Sequence, residues 1–201
     1  MGSNRQNGLF LILGVIVALV GWMFIYPGDD TATAESAAKL MADPTLAKLG
    51  MLMGFGGMGA LFIGFLNISR NMAAGDGAGS SYANISAIMA LALVVLMFTG
   101  LSIEWAVTEA SDATEGARLM LHSGAMETTL YFAGGLMLVL LGIGTILEKN
   151  FHVIIGGLSV VAGGIFLLGN IEGFNEIGFF GFLGMMLVAL GMGGTLLRQK
   201  S

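Results

Sequence analysis

Long runs of apolar residues, separated by short polar connections, dominate the pattern of the chain. A helix needs about 20 such residues to cross a hydrocarbon layer about 30 Å thick. Six runs approach that length, and they predict transmembrane helices over residues 9–26, 46–68, 85–103, 128–147, 151–170 and 177–197. The pattern therefore predicts an all-α polytopic membrane protein, in which residues 1–201 form a single transmembrane domain.

Residues typical of helix ends bound several of these runs. Pro27 ends the first run, and Asp43 followed by Pro44 supplies an N-cap and a first-turn proline for the second. An alternative interpretation of the first run is a secretory signal peptide, with Arg5 before the apolar residues and a cleavage site at 32–34. The run is long for a signal peptide, and the alternation of charge along the chain favours a retained span.

Two further helix signals lie in the connections. Residues 33–41 predict a short helix, whose Leu40 and Met41 would offer a small apolar face to the membrane interface. Asp112 and Glu115 have the spacing of a capping box. They predict that the fourth long helix begins outside the membrane, about four turns before its apolar run.

The basic residues fall mainly on one side of a six-span arrangement. Lys and Arg concentrate in the cytoplasmic loops of membrane proteins. One side carries Arg5, Arg70, Lys149, Arg198 and Lys200, and the other carries Lys39, Lys48 and Arg118. The acidic residues lie on the second side, except for Asp76 and Glu148. We therefore predict a cytoplasmic (inner) membrane protein with both termini cytoplasmic and acidic loops outside.

Composition agrees with this class and excludes others. The chain is 56% hydrophobic and only 10% charged, whereas soluble domains are about 25% charged. It has no cysteine, so disulfides and thiolate metal sites are excluded. A net charge of −5 without a basic cluster argues against nucleic acid as a partner. No catalytic or cofactor motif is present, so we predict neither an enzymatic activity nor a bound cofactor.

Glycine is unusually abundant and is arranged in pairs. Many of the 33 glycines recur seven residues apart, which places both members on one helix face. Small residues on one stripe let neighbouring membrane helices approach closely. The predicted packing pairs are Gly14/Gly21, Gly57/Gly64, Gly135/Gly142, Gly157/Gly164 and Gly184/Gly191.

A longer pattern suggests an internal repeat. Gly-Gly-x6-Gly occurs at 56–64, 134–142 and 156–164, and the fourth and sixth spans match at an offset of 50 residues. Three tandem Gly-rich helical hairpins are the predicted arrangement. With Pro27 closing the first span and 49–64 returning, the chain resembles the HdeD family of bacterial inner-membrane proteins associated with acid stress. That resemblance implies a non-enzymatic membrane protein with no catalytic residues.

A few polar residues near the predicted outer ends of the spans are candidates for chemistry. Polar groups in spans are costly and suggest function. A cation or proton site on the outer face is one interpretation, and an ordinary span boundary in water is the other. The candidates are Glu104, Glu127, His122, Glu172 and Glu176.

Two functions follow from these observations. The first is a non-enzymatic accessory or structural subunit that acts through helix packing, either with other membrane subunits or as a homo-oligomer, or a stress-associated protein like those of the HdeD family. The second is a small cation or proton channel or transporter that uses the outer carboxylates.

Overall fold

A computed structural model describes residues 3–28 and 33–199 of the protein. Lys200 and the first residue of the alternative cleavage site, Ala32, lie outside the described residues. About 85% of the chain is helical, and the described residues contain no strand. The helices are α1 (Asn4–Val20), which continues as a π-helical turn (Gly21–Ile25), α2 (Ala34–Ala42), α3 (Pro44–Ala73), α4 (Ser80–Val107), α5 (Ala113–Glu148), α6 (Val153–Leu168) and α7 (Gly178–Arg198).

The six helices other than α2 form a closed ring. Each packs against its neighbour along the chain, and α7 returns to pack against α1. Fully buried phenylalanines, Phe62, Phe65 and Phe166, fill the interior together with buried methionines such as Met58 and Met137. The predicted hairpins α1/α3, α4/α5 and α6/α7 are neighbours in this ring. However, α3/α4 and α5/α6 pack just as extensively, so the hairpins are not separate units.

Length and composition identify the helices that suit a membrane. Five are long and apolar enough to cross one: Asn4–Ile25, α3, α4, α5 and α7. The sixth apolar helix, α6, has 16 residues and is shorter. The all-helical fold with several long apolar helices is that of a multi-pass membrane protein.

The predicted helix starts of α3 and α5 are confirmed by their caps. The Asp43 carboxylate accepts a hydrogen bond from the Leu46 backbone N–H at 3.0 Å. Asp112 accepts from the N–H groups of Thr114 and Glu115 at 2.8 and 2.9 Å. With 36 residues α5 is about 54 Å long, and it therefore extends well beyond the length that a span requires.

The short helix predicted at 33–41 is present as α2, but the predicted contact of its apolar face with the membrane interface is wrong. Leu40 is fully buried, and α2 packs mainly against α5. A Cβ atom built on Gly116 of α5 would lie 2.8 Å from the Met41 sulfur. The first turns of α5 lie before its apolar run. The apolar face of α2 packs against these turns, and not against the membrane interface.

Candidate functional site

Glu104 is a carboxylate buried between helices. It lies near the end of α4, and only 8% of its surface is exposed. Its two oxygens accept hydrogen bonds from the hydroxyl groups of Tyr26 and Ser123, both at 2.7 Å. A buried carboxylate is tolerated when hydrogen bonds replace water, and these two bonds link the end of the first span to α4 and α5.

A π-helical turn places Tyr26 at this carboxylate. Its backbone N–H donates to the Gly21 carbonyl, five residues earlier, at 2.8 Å. Such turns insert one residue into a helix and often occur at functional sites. Gly50 of α3 accommodates the widened turn, since a Cβ atom there would lie 2.6 Å from the Tyr26 Cα. Trp22 in the same turn packs edge-on against Phe55, with ring centroids 5.6 Å apart.

The other predicted polar candidates do not join Glu104 in one site. Glu127 is exposed and accepts a hydrogen bond from the Tyr131 hydroxyl at 2.5 Å. His122, Glu172 and Glu176 are also exposed. No group of three His, Cys, Asp or Glu side chains in the described part of the chain is suited to hold a metal ion. Among the five candidates only Glu104 is buried, between Tyr26 at the end of the first span and Ser123 on α5, whereas the other four are exposed.

A small cavity lies beside Glu127. Its volume is about 140 Å³, and its lining residues are Gly124, Glu127, Thr128, Tyr131, Gly169 and Asn170. It therefore lies between α5 and the connection from α6 to α7. Glu104 is not among its lining residues, so the two carboxylates serve different parts of the bundle.

An exposed ion pair lies at the same end of α4 as Glu104. The Lys48 ammonium lies 2.8 Å from the Glu109 carboxylate and 4.7 Å from the centroid of the Trp105 ring. The Trp105 indole N–H donates to the same carboxylate at 3.1 Å. The hydrogen bond from Lys48, with its positive charge, holds the pKa of Glu109 below its ordinary value of 4.5. We call this end of the bundle, which carries Glu104, Glu109 and Glu127, the acidic end.

The predicted glycines of α1 and α3 bring these two helices into backbone contact. A Cβ atom on Gly14 would lie 2.8 Å from the Gly57 carbonyl oxygen, and one on Gly21 would lie 2.9 Å from the Gly50 carbonyl oxygen. A Cβ atom on Gly64 would lie 2.8 Å from the Leu11 side chain. Gly14 and Gly21 meet backbone atoms that cannot move aside, so these positions require glycine, whereas at Gly64 the Leu11 side chain can shift.

A second close contact joins α5 and α6, and the predicted pair Gly157/Gly164 does not take part in it. Cβ atoms on Gly135 and Gly142 would lie 2.8 and 2.6 Å from carbonyl oxygens of α6. Those oxygens belong to Gly163 and Gly156, whereas the predicted Gly157 and Gly164 have no atom within 4 Å of a Cβ position. Each of these predicted glycines follows an interfacial glycine by one residue. One residue is a rotation of about 100° around a helix, which turns them outwards.

The last predicted pair lies on α7 and faces α6. A Cβ atom on Gly184 would lie 2.6 Å from the Ala162 Cβ, whereas one on Gly191 would make an ordinary contact with Ile155 at 3.5 Å. Gly184 is therefore required for close packing, and Gly191 has room for a methyl group.

Sequence reasoning missed several polar contacts. Ser123 was not singled out as a partner of Glu104, although it is a hydroxyl residue on the face of α5 that meets α4. Ser69 and Ser86 lie 3.1 Å apart in the core, and Ser86 also donates to the Met137 carbonyl. Isolated serines in apolar runs are the signal that identifies such interhelical contacts.

Comparisons of the chain with protein-family models, with curated proteins and with solved structures find no match. The class of the protein therefore rests on its own fold, which is that of a multi-pass helical membrane protein. Its site residues define no reaction.

Proposed function

We propose that the protein is a six-span membrane protein with both ends on the cytoplasmic side. The Asn4 side-chain amide donates a hydrogen bond to the Gln199 side-chain oxygen at 3.0 Å, so the start of α1 and the end of α7 meet at one end of the bundle. A chain that starts and ends on one side crosses the membrane an even number of times. This geometry supports α6 as a crossing helix beside the five longer ones.

The charge distribution supports the orientation. Arg5, Arg70, Lys149 and Arg198 flank the helix ends near the Asn4–Gln199 contact, and we call this end the basic end. By the positive-inside rule, it faces the cytoplasm. Labelling of single cysteines introduced at each end, in intact cells and in opened membranes, tests the proposal. Labelling of the basic end in intact cells by an impermeant reagent contradicts it.

Within this arrangement, we propose that the protein acts through helix packing, as an accessory or structural subunit or as a homo-oligomer. The outward face of α6 carries the proposal. Gly157 and Gly164 lie on this face with open space beside them, and the neighbouring Ile154, Val161 and Leu168 are exposed. Such a stripe allows another membrane helix to approach closely.

The length of α6 supports a partner at this face. Its 16 residues span about 24 Å, which is less than a hydrocarbon layer of about 30 Å. A helix that is too short for its bilayer is accommodated by local thinning, by polar flanks or by association with other helices. A partner on the glycine face would cover the short helix and use the space that the glycines leave.

Cysteine cross-linking tests this proposal directly, because the natural chain contains no cysteine. We expect Val161→Cys in native membranes to give a disulfide-linked dimer of twice 20.8 kDa if the partner is a second copy. A benzophenone attached to the same cysteine should capture a different subunit. Val95→Cys on α4 is the matched control, since Val95 and Val161 are 59% and 58% exposed.

A further variant separates binding from folding. No atom lies within 4 Å of the Cβ position of Gly157, so a side chain there begins in open space on the outward face. Gly157→Ile should therefore abolish the cross-link and leave the helical content unchanged. The proposal fails if Val161→Cys and Val95→Cys give the same products, or if the cross-link survives Gly157→Ile.

We keep the stress association implied by the HdeD resemblance as a proposal. Its support is the chain's span arrangement and its glycine-rich helices. Survival of acid exposure by cells with and without this protein tests it, and equal survival contradicts it.

A second candidate function, proton or cation translocation, is favoured by one observation, the buried Glu104. Both of its oxygens already have hydroxyl partners that are able to pass on a proton. Flux into liposomes that contain the protein should fall in Glu104→Gln and persist in Glu127→Gln. Equal flux in the two variants and the wild type excludes Glu104 as the pathway.

A further inference from the structure

A cleft opens at the basic end of the bundle, away from Glu104. Its volume is about 290 Å³, and it lies where α1 begins and where α3, α5 and α7 end. The buried residues Ile68, Met72 and Leu196, together with Phe151, contribute the apolar part of its lining. Its polar lining consists of Glu148 and five carboxamides, Asn4, Asn7, Asn71, Asn150 and Gln199.

Carboxamide side chains are concentrated at this cleft. The chain has eight asparagines and two glutamines, and half of them line this one cleft. Asn7 is 1% exposed, and its side-chain oxygen accepts a hydrogen bond from Asn67 at 3.0 Å. The Asn4 amide likewise donates to the Gln199 side-chain oxygen at 3.0 Å. Three of the five carboxamides therefore have partners within the chain, and Asn71 and Asn150, which are exposed at the rim, are the ones placed to meet a ligand.

Basic residues flank the lining of the cleft along the chain. Arg5, Arg70, Lys149 and Arg198 are each adjacent in sequence to a lining residue, and all four are exposed. Within residues 3–28 and 33–199, none of them forms an ion pair with a carboxylate. The lining also contains Glu148, which accepts a hydrogen bond from the Gly79 backbone N–H at 2.8 Å, and Asp76 is adjacent to the lining residue Gly75. The four basic side chains outnumber these two carboxylates, so the surroundings favour an anionic ligand.

We propose that this cleft binds a phosphate group. Carboxamide N–H groups donate hydrogen bonds to phosphate oxygens, and the flanking Arg and Lys side chains supply the opposite charge. Basic pockets between helix ends at a membrane surface bind phospholipid head groups in this way. The same chemistry suits a free phosphate ion, which reaches the cleft from the aqueous side.

Thermal unfolding of the full chain in detergent separates the two sources. Inorganic phosphate, phosphatidylglycerol and phosphatidylcholine are added in parallel, with sodium chloride at equal ionic strength as a control. A rise in Tm with phosphate alone identifies a free ion. A rise with phosphatidylglycerol, and not with phosphate or phosphatidylcholine, identifies an anionic head group.

Variants at the rim test the location. Asn71 and Asn150 are exposed, so Asn71→Ala with Asn150→Ala should leave the fold intact and weaken binding about tenfold, because hydrogen bonds to a charged group are lost. Asn170→Ala at the opposite end is the matched control, and circular dichroism verifies folding. The proposal is overturned if neither phosphate nor phosphatidylglycerol raises the wild-type Tm, or if the rim and control variants bind equally.

Discussion

Adjacent glycines on α3 allow a direct test of the packing between α1 and α3. Gly57 meets the backbone of α1: a Cβ atom there would lie 2.8 Å from the Gly14 carbonyl oxygen and 2.9 Å from the Ala18 Cα. Gly56, one residue earlier on the same helix, has no atom within 4 Å of its Cβ position. The variants Gly56→Ala and Gly57→Ala therefore differ mainly in whether the added methyl group has space.

The expected free energies follow from two effects. Alanine is a better helix former than glycine by about 1 kcal/mol, and this gain is common to both variants. At Gly57 the helices must also separate, because backbone atoms cannot rotate away, and overpacking of this kind costs about 1–3 kcal/mol. Gly56→Ala should therefore be neutral or stabilising. Gly57→Ala should be less stable than Gly56→Ala by about 1–3 kcal/mol.

Unfolding by sodium dodecyl sulfate in mixed micelles, followed by circular dichroism, measures this difference. Gly134→Ala and Gly135→Ala on α5 repeat the comparison, since a Cβ atom on Gly135 would lie 2.8 Å from the Gly163 carbonyl oxygen and one on Gly134 has open space. The reasoning is refuted if the two members of each pair unfold at the same detergent fraction, or if the Gly56 or Gly134 variant is the less stable one.

Two further predictions concern single side chains. The Thr145 hydroxyl is buried without a hydrogen-bond partner among the described residues. Thr145→Val removes this unpaired hydroxyl, so it should stabilise the bundle by about 1 kcal/mol in the same unfolding assay. A clear loss of stability would show that the hydroxyl is bonded. Lys48 lowers the pKa of Glu109 in the folded protein below its value in the unfolded chain. The pair therefore stabilises the fold at pH values above the Glu109 pKa of the unfolded chain, and this stabilisation is lost as the pH falls through the lower pKa of the folded protein. In Lys48→Met, NMR titration should show the Glu109 pKa rising towards 4.5, and an unchanged pKa would exclude Lys48 as its cause.

Most of the fold was predictable because strong local signals determine it. Apolar runs of sufficient length place the long helices, and Asp43 and Asp112 cap α3 and α5 as expected. The face of α2 was not predictable, because Leu40 is buried by the extramembrane turns of α5, and only the tertiary fold brings these segments together.

The candidate site was predictable only in part. Glu104 is identifiable from sequence as a carboxylate at the end of an apolar run. Its burial depends on Tyr26 and Ser123, which are 78 and 19 residues away along the chain. Tyr26 reaches it through a π-helical turn that inserts one residue into the helix, and hydropathy carries no signal for such an insertion.

The glycines of α6 show that the direction in which a helical residue faces is harder to predict than the helix itself. Gly156 and Gly157 are equally consistent with a packing stripe in sequence, as are Gly163 and Gly164. Only the first of each pair meets α5, because a rotation of about 100° turns the second away. The second stripe leaves open space beside α6, and small residues on one stripe allow another membrane helix to approach closely. We therefore expect Gly157 and Gly164 to serve the same close packing that the sequence predicted, but against another membrane helix.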